Sequence, residues 1–285
     1  MSQTPSALER WRTQLGARAI PPSILAAAPE PPWGFPAALF RTRAARAGAG
    51  AESPTTIRAR EALPDGGVVL DVGCGGGATS LPLADRAGTL VGVDVQPDLP
   101  AVFTAAAGAR GVVAETLHGT WPDVAERAPV GDVVVCGHVL YNVPLLEPFV
   151  AALSTHATRR VVLELTEAHP LVWMHDLWRR FHGVSFPEGP TADDAEDALL
   201  ELGLPVHRDE RPASEGTERG GFDRREDAVA LVRRRLCLPA SRDEEVAEAL
   251  GERLQRDDGL WSAGPVPGQR VVTLWWDTGG PAVSA

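Results

Sequence analysis

Residues 68–80 read VVLDVGCGGGATS: apolar residues that end on an acid and pass directly into a loop with glycines at 73, 75, 76 and 77. The apolar run is too continuous for a strand with one wet face, which places it inside a parallel sheet covered by helices on both sides. The glycines let the chain turn sharply and bring backbone N–H groups close to a ligand, with no Cβ in the way. Further strand-like runs follow, TLVGVDV (89–95), GVVAE (111–115), DVVVCG (132–137) and RVVLELT (160–166). Helix-like segments separate them, among them GATSLPLADRAG (77–88) directly after the glycine loop and PDLPAVFTAAAGA (97–109). The expected fold is α/β: a doubly wound, mainly parallel seven-stranded sheet with helices on both faces.

Residues 1–60 stand before this pattern as an N-terminal helix and a Pro/Ala-rich arm. Leu8, Trp11 and Leu15 interleave with Glu9, Arg10 and Arg12, the signature of an amphipathic helix within 2–20. In 21–51 repeated prolines argue against regular helix, and Trp33, Phe35 and Phe40 need a surface to pack on, so this arm should lie across the following domain as packing or as a lid. The α/β domain, 61–285, carries an aromatic insertion at about 167–190, where Trp173, Leu177 and Phe181 form a helical stripe beside Met174 and Trp178. A helix over 192–203 opens with Thr191 and Asp194 in capping-box spacing, and a strand over 204–210 follows. A helical insertion at about 211–268, with a charged loop, a helix near 223–236 and another from Ser241 capped by Glu244, forms a small cap before the last strand, RVVTLWWDT.

The net charge of −11 opposes strong attraction to nucleic acid or anionic membrane. Cys74, Cys136 and Cys237 lack CxxC or zinc spacing, and His175 and His182 have no acid or thiol at ligand spacing, so neither a disulfide framework nor a metal site is expected. No stretch approaches the roughly 20 apolar residues that span a bilayer. A cytoplasmic protein without membrane attachment is the expectation; the sequence leaves its oligomeric state open.

Asp94 ends the second strand 21 residues after Gly73, where a carboxylate accepts hydrogen bonds from ribose hydroxyls. Gly73, Gly75 and Ala78 also satisfy the dinucleotide pattern G-x-G-x-x-G/A, but Asp71 would repel a pyrophosphate and suits a cationic or amine-bearing ligand. The run D-x-G-x-G-x-G from Asp71 to Gly77 resembles motif I of the class I S-adenosylmethionine-dependent methyltransferases, and the resemblance extends over about 66–166. It implies S-adenosyl-L-methionine as cofactor, with Asp71, Gly73, Cys74, Gly75 and Gly77 around its methionine half and Asp94 on its ribose. It further implies Val95 beside the adenine, Gly119, Thr120 and Trp121 at its amino edge, with Trp121 stacking on the ring or packing on the sheet, and Gly137 at the end of strand four.

Ligands of open α/β sheets lie outside the carboxyl ends of the strands, so the acceptor side falls to His138, Tyr141 and Asn142 after strand four and to Glu167 and His169 after strand five. His138 is the candidate general base, or else a wall of the cofactor site. No Asn-Pro-Pro-Tyr follows strand four, and Cys136 has no preceding proline, so amino-methylation of bases and covalent pyrimidine chemistry are disfavoured. A methyltransferase of a small-molecule acceptor is the leading reading. The rivals are an RNA methyltransferase, if Arg41, Arg43, Arg46, Arg58 and Arg60 gather on one face, an NAD(P)-dependent oxidoreductase, and a non-catalytic S-adenosylmethionine-binding scaffold.

Overall fold

A computed structural model describes residues 4–49, 51–213, 221–264 and 269–279. Its strands are β1 (Gly67–Val72), β2 (Ala87–Asp94), β3 (Val113–His118), β4 (Gly131–Gly137), β5 (Ala157–Thr166), β6 (His207–Pro212), β7 (Leu254–Asp257), β8 (Leu260–Ala263) and β9 (Arg270–Asp277). Seven of them form one sheet in the order β3-β2-β1-β4-β5-β9-β6, and β7 and β8 form a separate hairpin. β9 alone runs against the direction of the other six strands, so its pairs with β5 and β6 are the antiparallel ones in the large sheet. This is the doubly wound α/β sheet that the apolar runs imply.

The central strands are buried on both faces because helices cover each side. On one face Leu70, Val134, Leu163 and Trp276 pack with Trp11 of α1 (Ala7–Gly16). The same face carries α6 (Leu146–Thr155) and α8 (Ala192–Glu201), and α1 packs on α8; the other helices up to α8 are α2 (Pro22–Ala27), α3 (Ala37–Arg46), α4 (Pro54–Ala62), α5 (Leu99–Gly108) and α7 (His175–His182). On the opposite face Val69, Val133, Val135 and Val162 pack with Ala59 of α4 and Phe103 of α5. A third cluster joins Met174, Leu177 and Trp178 to Val229, Val232 and Val246 of α9 (Arg225–Arg235) and α10 (Asp243–Leu250), with Ile20 and Ile24 leaning on it. The aromatic stripe after β5 is therefore the core of a cap.

Four local expectations change. The arm is only partly irregular: Pro21 and Pro22 sit at the start of α2 and Pro36 at that of α3, where a missing N–H costs nothing, while Pro29, Pro31 and Pro32 lie in the non-helical stretch between them. The segment after the glycine loop forms a 3₁₀ turn at Leu81–Leu83 in place of a helix. Nine helical residues would advance about 14 Å at 1.5 Å each, whereas returning past the six-residue β1 requires about 20 Å, so the chain stays in more open turns. Thr191 and Asp194 do form a capping box, but Ser241 and Glu244 do not, because α10 starts at Asp243 behind a 3₁₀ turn. Three acids in its first turn, Asp243, Glu244 and Glu245, favour that end through the helix dipole instead. The cap is also not purely helical, since it includes the β7–β8 hairpin; part of its charged loop, 214–220, lies outside the described residues.

Candidate functional site

The parallel register sets Asp71 beside Gly92 and Val72 beside Val93, so β1 and β2 finish together. Gly73 then takes φ +74° and Gly75 φ +54°. A Cβ on Gly73 would come within 2.2 Å of the Val139 side chain, and one on Gly75 within 2.5 Å of the Phe40 ring. The N–H groups of Gly73 and Cys74 donate to the Val93 carbonyl at 2.8 and 3.0 Å, and that of Gly77 donates to Cys74 at 2.7 Å. The loop is thereby folded against β2.

Asp94 completes the tie. Its carboxylate accepts from the Gly75 and Gln96 N–H groups, each at 2.8 Å. It does not cap α5, whose N-cap is Asp98. Both oxygens keep a further lone pair for a ligand hydroxyl. Asp71, at the end of β1, is fully buried; its Oδ2 accepts from the Ser80 hydroxyl at 2.6 Å, and its Oδ1 has no hydrogen-bond partner among the described residues. Burial, with the Asp94 charge adding and the Ser80 bond opposing, pushes its carboxyl up to about 7. Burial and the nearby carboxylates raise the Cys74 thiol well above its usual range, and burial does the same to Cys136, so neither is poised as a nucleophile.

Beside Asp94, Val95 is 61% exposed. The Gly119 N–H donates to the Asp94 carbonyl at 2.9 Å, which brings the exits of β2 and β3 together, and Thr120 is exposed there. Trp121 departs from the stacking role. It is buried in the core, donates to the Phe149 carbonyl at 3.3 Å and packs edge-on against His156, the arrangement that satisfies a buried indole.

At the exits of β4 and β5 the candidates divide between two sides. His138 follows Gly137 in β4 and adopts φ +59°, a region a residue with a side chain enters rarely. Its N–H donates to the Glu164 carbonyl at 2.6 Å, and its Nε2 lies 3.1 Å from Glu164 Oε1. The ring is 43% exposed. Glu164 is buried inside β5; Oε2 accepts from the Thr55 hydroxyl of α4 at 2.6 Å and stands 3.8 Å from Arg211 of β6. Burial acts to raise this carboxyl, but the hydrogen bond and charge of His138, the Thr55 hydroxyl and Arg211 outweigh it and hold it below the usual range. Sequence reading passed over Glu164, although an acid in the middle of RVVLELT was its signal.

Tyr141 and His169 meet on the other face, with ring centroids 5.1 Å apart, beneath Trp11. The Tyr141 hydroxyl donates to the Thr166 carbonyl at 2.6 Å, and burial raises it. His169 is buried, and desolvation with the charges of Arg18 and His175 lowers it to about 3, so it stays neutral. These two read as packing groups under α1, while Asn142 and Glu167 remain exposed at the strand exits.

The arm lies over the loop. Phe40 covers Gly75 and Gly76, the Phe35 N–H donates to Gln96 Oε1 at 2.9 Å, and Arg234 and Arg235 of α9 donate to the Gly34 carbonyl at 3.0 and 3.2 Å. Arg235 also stacks on Phe35, 4.3 Å from its centroid. Among the described residues there is no cluster of metal-ligating side chains and no helix long and apolar enough to cross a membrane.

Residues 69–159 match a family model described as a methyltransferase domain. A ubiquinone biosynthesis O-methyltransferase of Azorhizobium caulinodans is 37% identical over 75 residues, 26% of this chain and 30% of that protein. The enzyme of the same name from Pseudomonas savastanoi is 42% identical over 77 residues, 27% of this chain and 33% of that protein. The match thus spans about a third of these relatives. A solved S-adenosylmethionine-dependent methyltransferase from Thiobacillus denitrificans, in complex with S-adenosyl-L-homocysteine, superposes with a TM-score of 0.51 at 15% identity, covering 86% of this chain and 100% of that one. At that identity the likeness concerns the fold.

Proposed function

We propose that this chain, which in residues 69–159 belongs to the methyltransferase-domain family and has the Rossmann-like fold of S-adenosylmethionine-dependent methyltransferases, methylates a hydroxyl of a small-molecule acceptor. The observation that carries the reading is the tie between the glycine loop and the acid of β2: Asp94 grips Gly75 and Gln96 while keeping acceptor capacity for a ribose. One further feature fits the cofactor: the buried Oδ1 of Asp71 has no hydrogen-bond partner among the described residues, and once ionised this carboxyl offers negative charge suited to a cationic ligand.

In this reading Asp71, Gly73, Cys74, Gly75 and Gly77 hold the methionine half, Asp94 the ribose, and Val95, Gly119 and Thr120 the adenine. When bound, S-adenosylmethionine supplies a methyl group activated on a sulfonium sulfur. The chain aligns the acceptor with that methyl and takes up a proton, alignment being the larger contribution. His138 is the base: its half-exposed ring stands where β4 ends, and Nδ1 has no hydrogen-bond partner among the described residues. A base matters most for an acceptor that is protonated at neutral pH, such as a phenol or enol, since a carboxylate needs none. The O-methyltransferase names of the relatives agree with this class.

Of the five arginines that an RNA surface would draw on, three are engaged in ion pairs. Arg46 pairs with Asp258, Arg58 with Asp209 and Glu61, and Arg60 with Glu52 and Asp85. The test is calorimetric titration with S-adenosylhomocysteine and with NADH, followed by transfer of labelled methyl from S-adenosylmethionine to a panel of phenols. Micromolar NADH binding with no response to S-adenosylhomocysteine would overturn the proposal.

A further inference from the structure

Glu164 is the one carboxylate of β5 turned into the sheet's helix-covered interior, and its position is costly unless its charge is used. A buried carboxylate without partners gives up its hydration and gains nothing in return. This one is held by three groups from three parts of the fold: the His138 ring after β4, the Thr55 hydroxyl of α4 and, at 3.8 Å, Arg211 of β6; Thr273 of β9 braces the Thr55 hydroxyl at 2.7 Å. Oε2 is thus anchored from behind, while Oε1 meets Nε2 of His138. The histidine is pinned a second time through its backbone, whose N–H bonds to the Glu164 carbonyl, and it accepts φ +59° to be there. Strain of this kind persists only where the surroundings over-determine the conformation.

Resting on the methyltransferase reading, we infer that Glu164 is the positioning residue for His138, and that Thr55 fixes Glu164 in turn. An ionised carboxylate accepts but cannot donate, so the neutral imidazole must carry its proton on Nε2 and present the lone pair of Nδ1. The side chain is 43% exposed at the carboxyl ends of the strands, where an acceptor would stand. In the transfer step a lone pair of the acceptor oxygen forms the bond to the methyl carbon, the carbon–sulfur bonding pair remains on sulfur, and the hydroxyl proton passes to Nδ1. The imidazolium that results is balanced by Glu164, which keeps its own charge throughout. The arrangement uses the same logic as other base–carboxylate pairs, in which the carboxylate selects the tautomer and supports the charged ring.

The experiment reads the histidine and needs no acceptor. Long-range nitrogen–proton spectra of the ¹⁵N-histidine-labelled full chain, without added ligand, should show His138 as the Nε2–H tautomer, assigned by its disappearance in His138→Gln. In Glu164→Gln the amide can turn either its oxygen or its NH₂ to the ring, so the Nε2–H preference should be lost and both tautomers appear. Thr55→Val, which keeps the carboxylate but frees it, should weaken the preference less. Should Glu164→Gln fail to fold, Glu164→Asp withdraws the carboxylate by one methylene and predicts mixed tautomers. An Nδ1–H tautomer in the parent, or an Nε2–H tautomer unchanged in the folded variants, overturns the inference. S-adenosylhomocysteine titration of the same samples is the separate check: loss of the dyad with intact cofactor binding refutes only the role of Glu164, whereas an intact dyad without cofactor binding refutes the methyltransferase reading.

Discussion

Asp71→Asn should change how stability depends on pH, because the carboxyl it removes is fully buried and is pushed up to about 7 in the folded chain. In the unfolded chain the same group ionises near 3.9. Between those values the folded state holds a proton that the unfolded state has released, so folding loses stability as pH rises, and the loss levels off above about 7. This is the reverse of the usual paired carboxylate, and its slope is about 1.4 kcal/mol per pH unit. From pH 5 to pH 7 the variant should therefore gain on the parent by about 2–3 kcal/mol, with only a few tenths of a kcal/mol more by pH 8. Asparagine keeps an oxygen for the Ser80 hydroxyl, and whatever its amide costs beside the former Oδ1 is an offset that does not vary with pH. Urea unfolding of both proteins at pH 5, 6, 7 and 8 reads the difference directly. Parallel stability curves across that range would refute the assignment of a protonated Asp71. The same charge bears on the cofactor: S-adenosylmethionine should bind the parent more tightly as pH rises through 7, and bind Asp71→Asn more weakly and with less dependence on pH.

Asp94→Ala should weaken S-adenosylhomocysteine roughly ten- to hundred-fold, as loss of a charged acceptor worth about 1.5–3 kcal/mol requires; it should also lower the melting temperature, since Gly75 and Gln96 lose their acceptor. Calorimetric affinity within two-fold of the parent would remove Asp94 from the site. His138→Ala should slow methyl transfer to a responsive phenol by about 10²- to 10⁴-fold with little change in S-adenosylhomocysteine affinity, the range expected for loss of a general base; an equal loss of cofactor binding would make it a wall. Phe40→Ala should speed the dissociation of bound S-adenosylhomocysteine, measured by stopped-flow displacement, if the α3 segment lies over the ligand as it lies over Gly75. Trp11→Ala should cost about 3–5 kcal/mol by leaving a cavity in the main core, as read by urea unfolding; a loss under 1 kcal/mol would make α1 peripheral.

The sheet was legible because its strands obey one rule: a strand buried on both faces must be apolar throughout, and VVLDV, TLVGV and DVVVC satisfy it. The elements that were misread are those whose form depends on distance or on packing partners. A helix after Gly77 has the right residues and the wrong length, since the path back past β1 is too long for nine helical residues. The arm has many prolines, but α3 begins at one of them, and its regularity comes from resting on the glycine loop and α5. The N-terminal helix was legible as amphipathic, yet nothing in its pattern tells that Trp11 becomes fully buried, with its indole N–H satisfied by Val143 at 2.8 Å. That contact makes residues 7–16 part of the core.

The candidate site divides along the same line. The glycine loop and Asp94 are local in sequence, because a backbone turn and the acid that grips it must follow consecutive strands in fixed order. The acceptor side is assembled by register across the sheet, which no single stretch of sequence displays. His138, Tyr141 and His169 all follow strand ends, and their types alone make each a candidate. Position separates them: Tyr141 and His169 fall on the face covered by α1, where Trp11 buries them, and His138 falls beside Glu164. An acid in the interior of β5 is tolerated because the turn after β4, α4 and β6 bring it polar groups from residues 138, 55 and 211, while residue 273 of β9 braces the Thr55 hydroxyl. Their convergence is a property of the strand order β4-β5-β9-β6 and of the helix that crosses it. The acid in RVVLELT therefore signals that partners must exist, and the fold supplies their names.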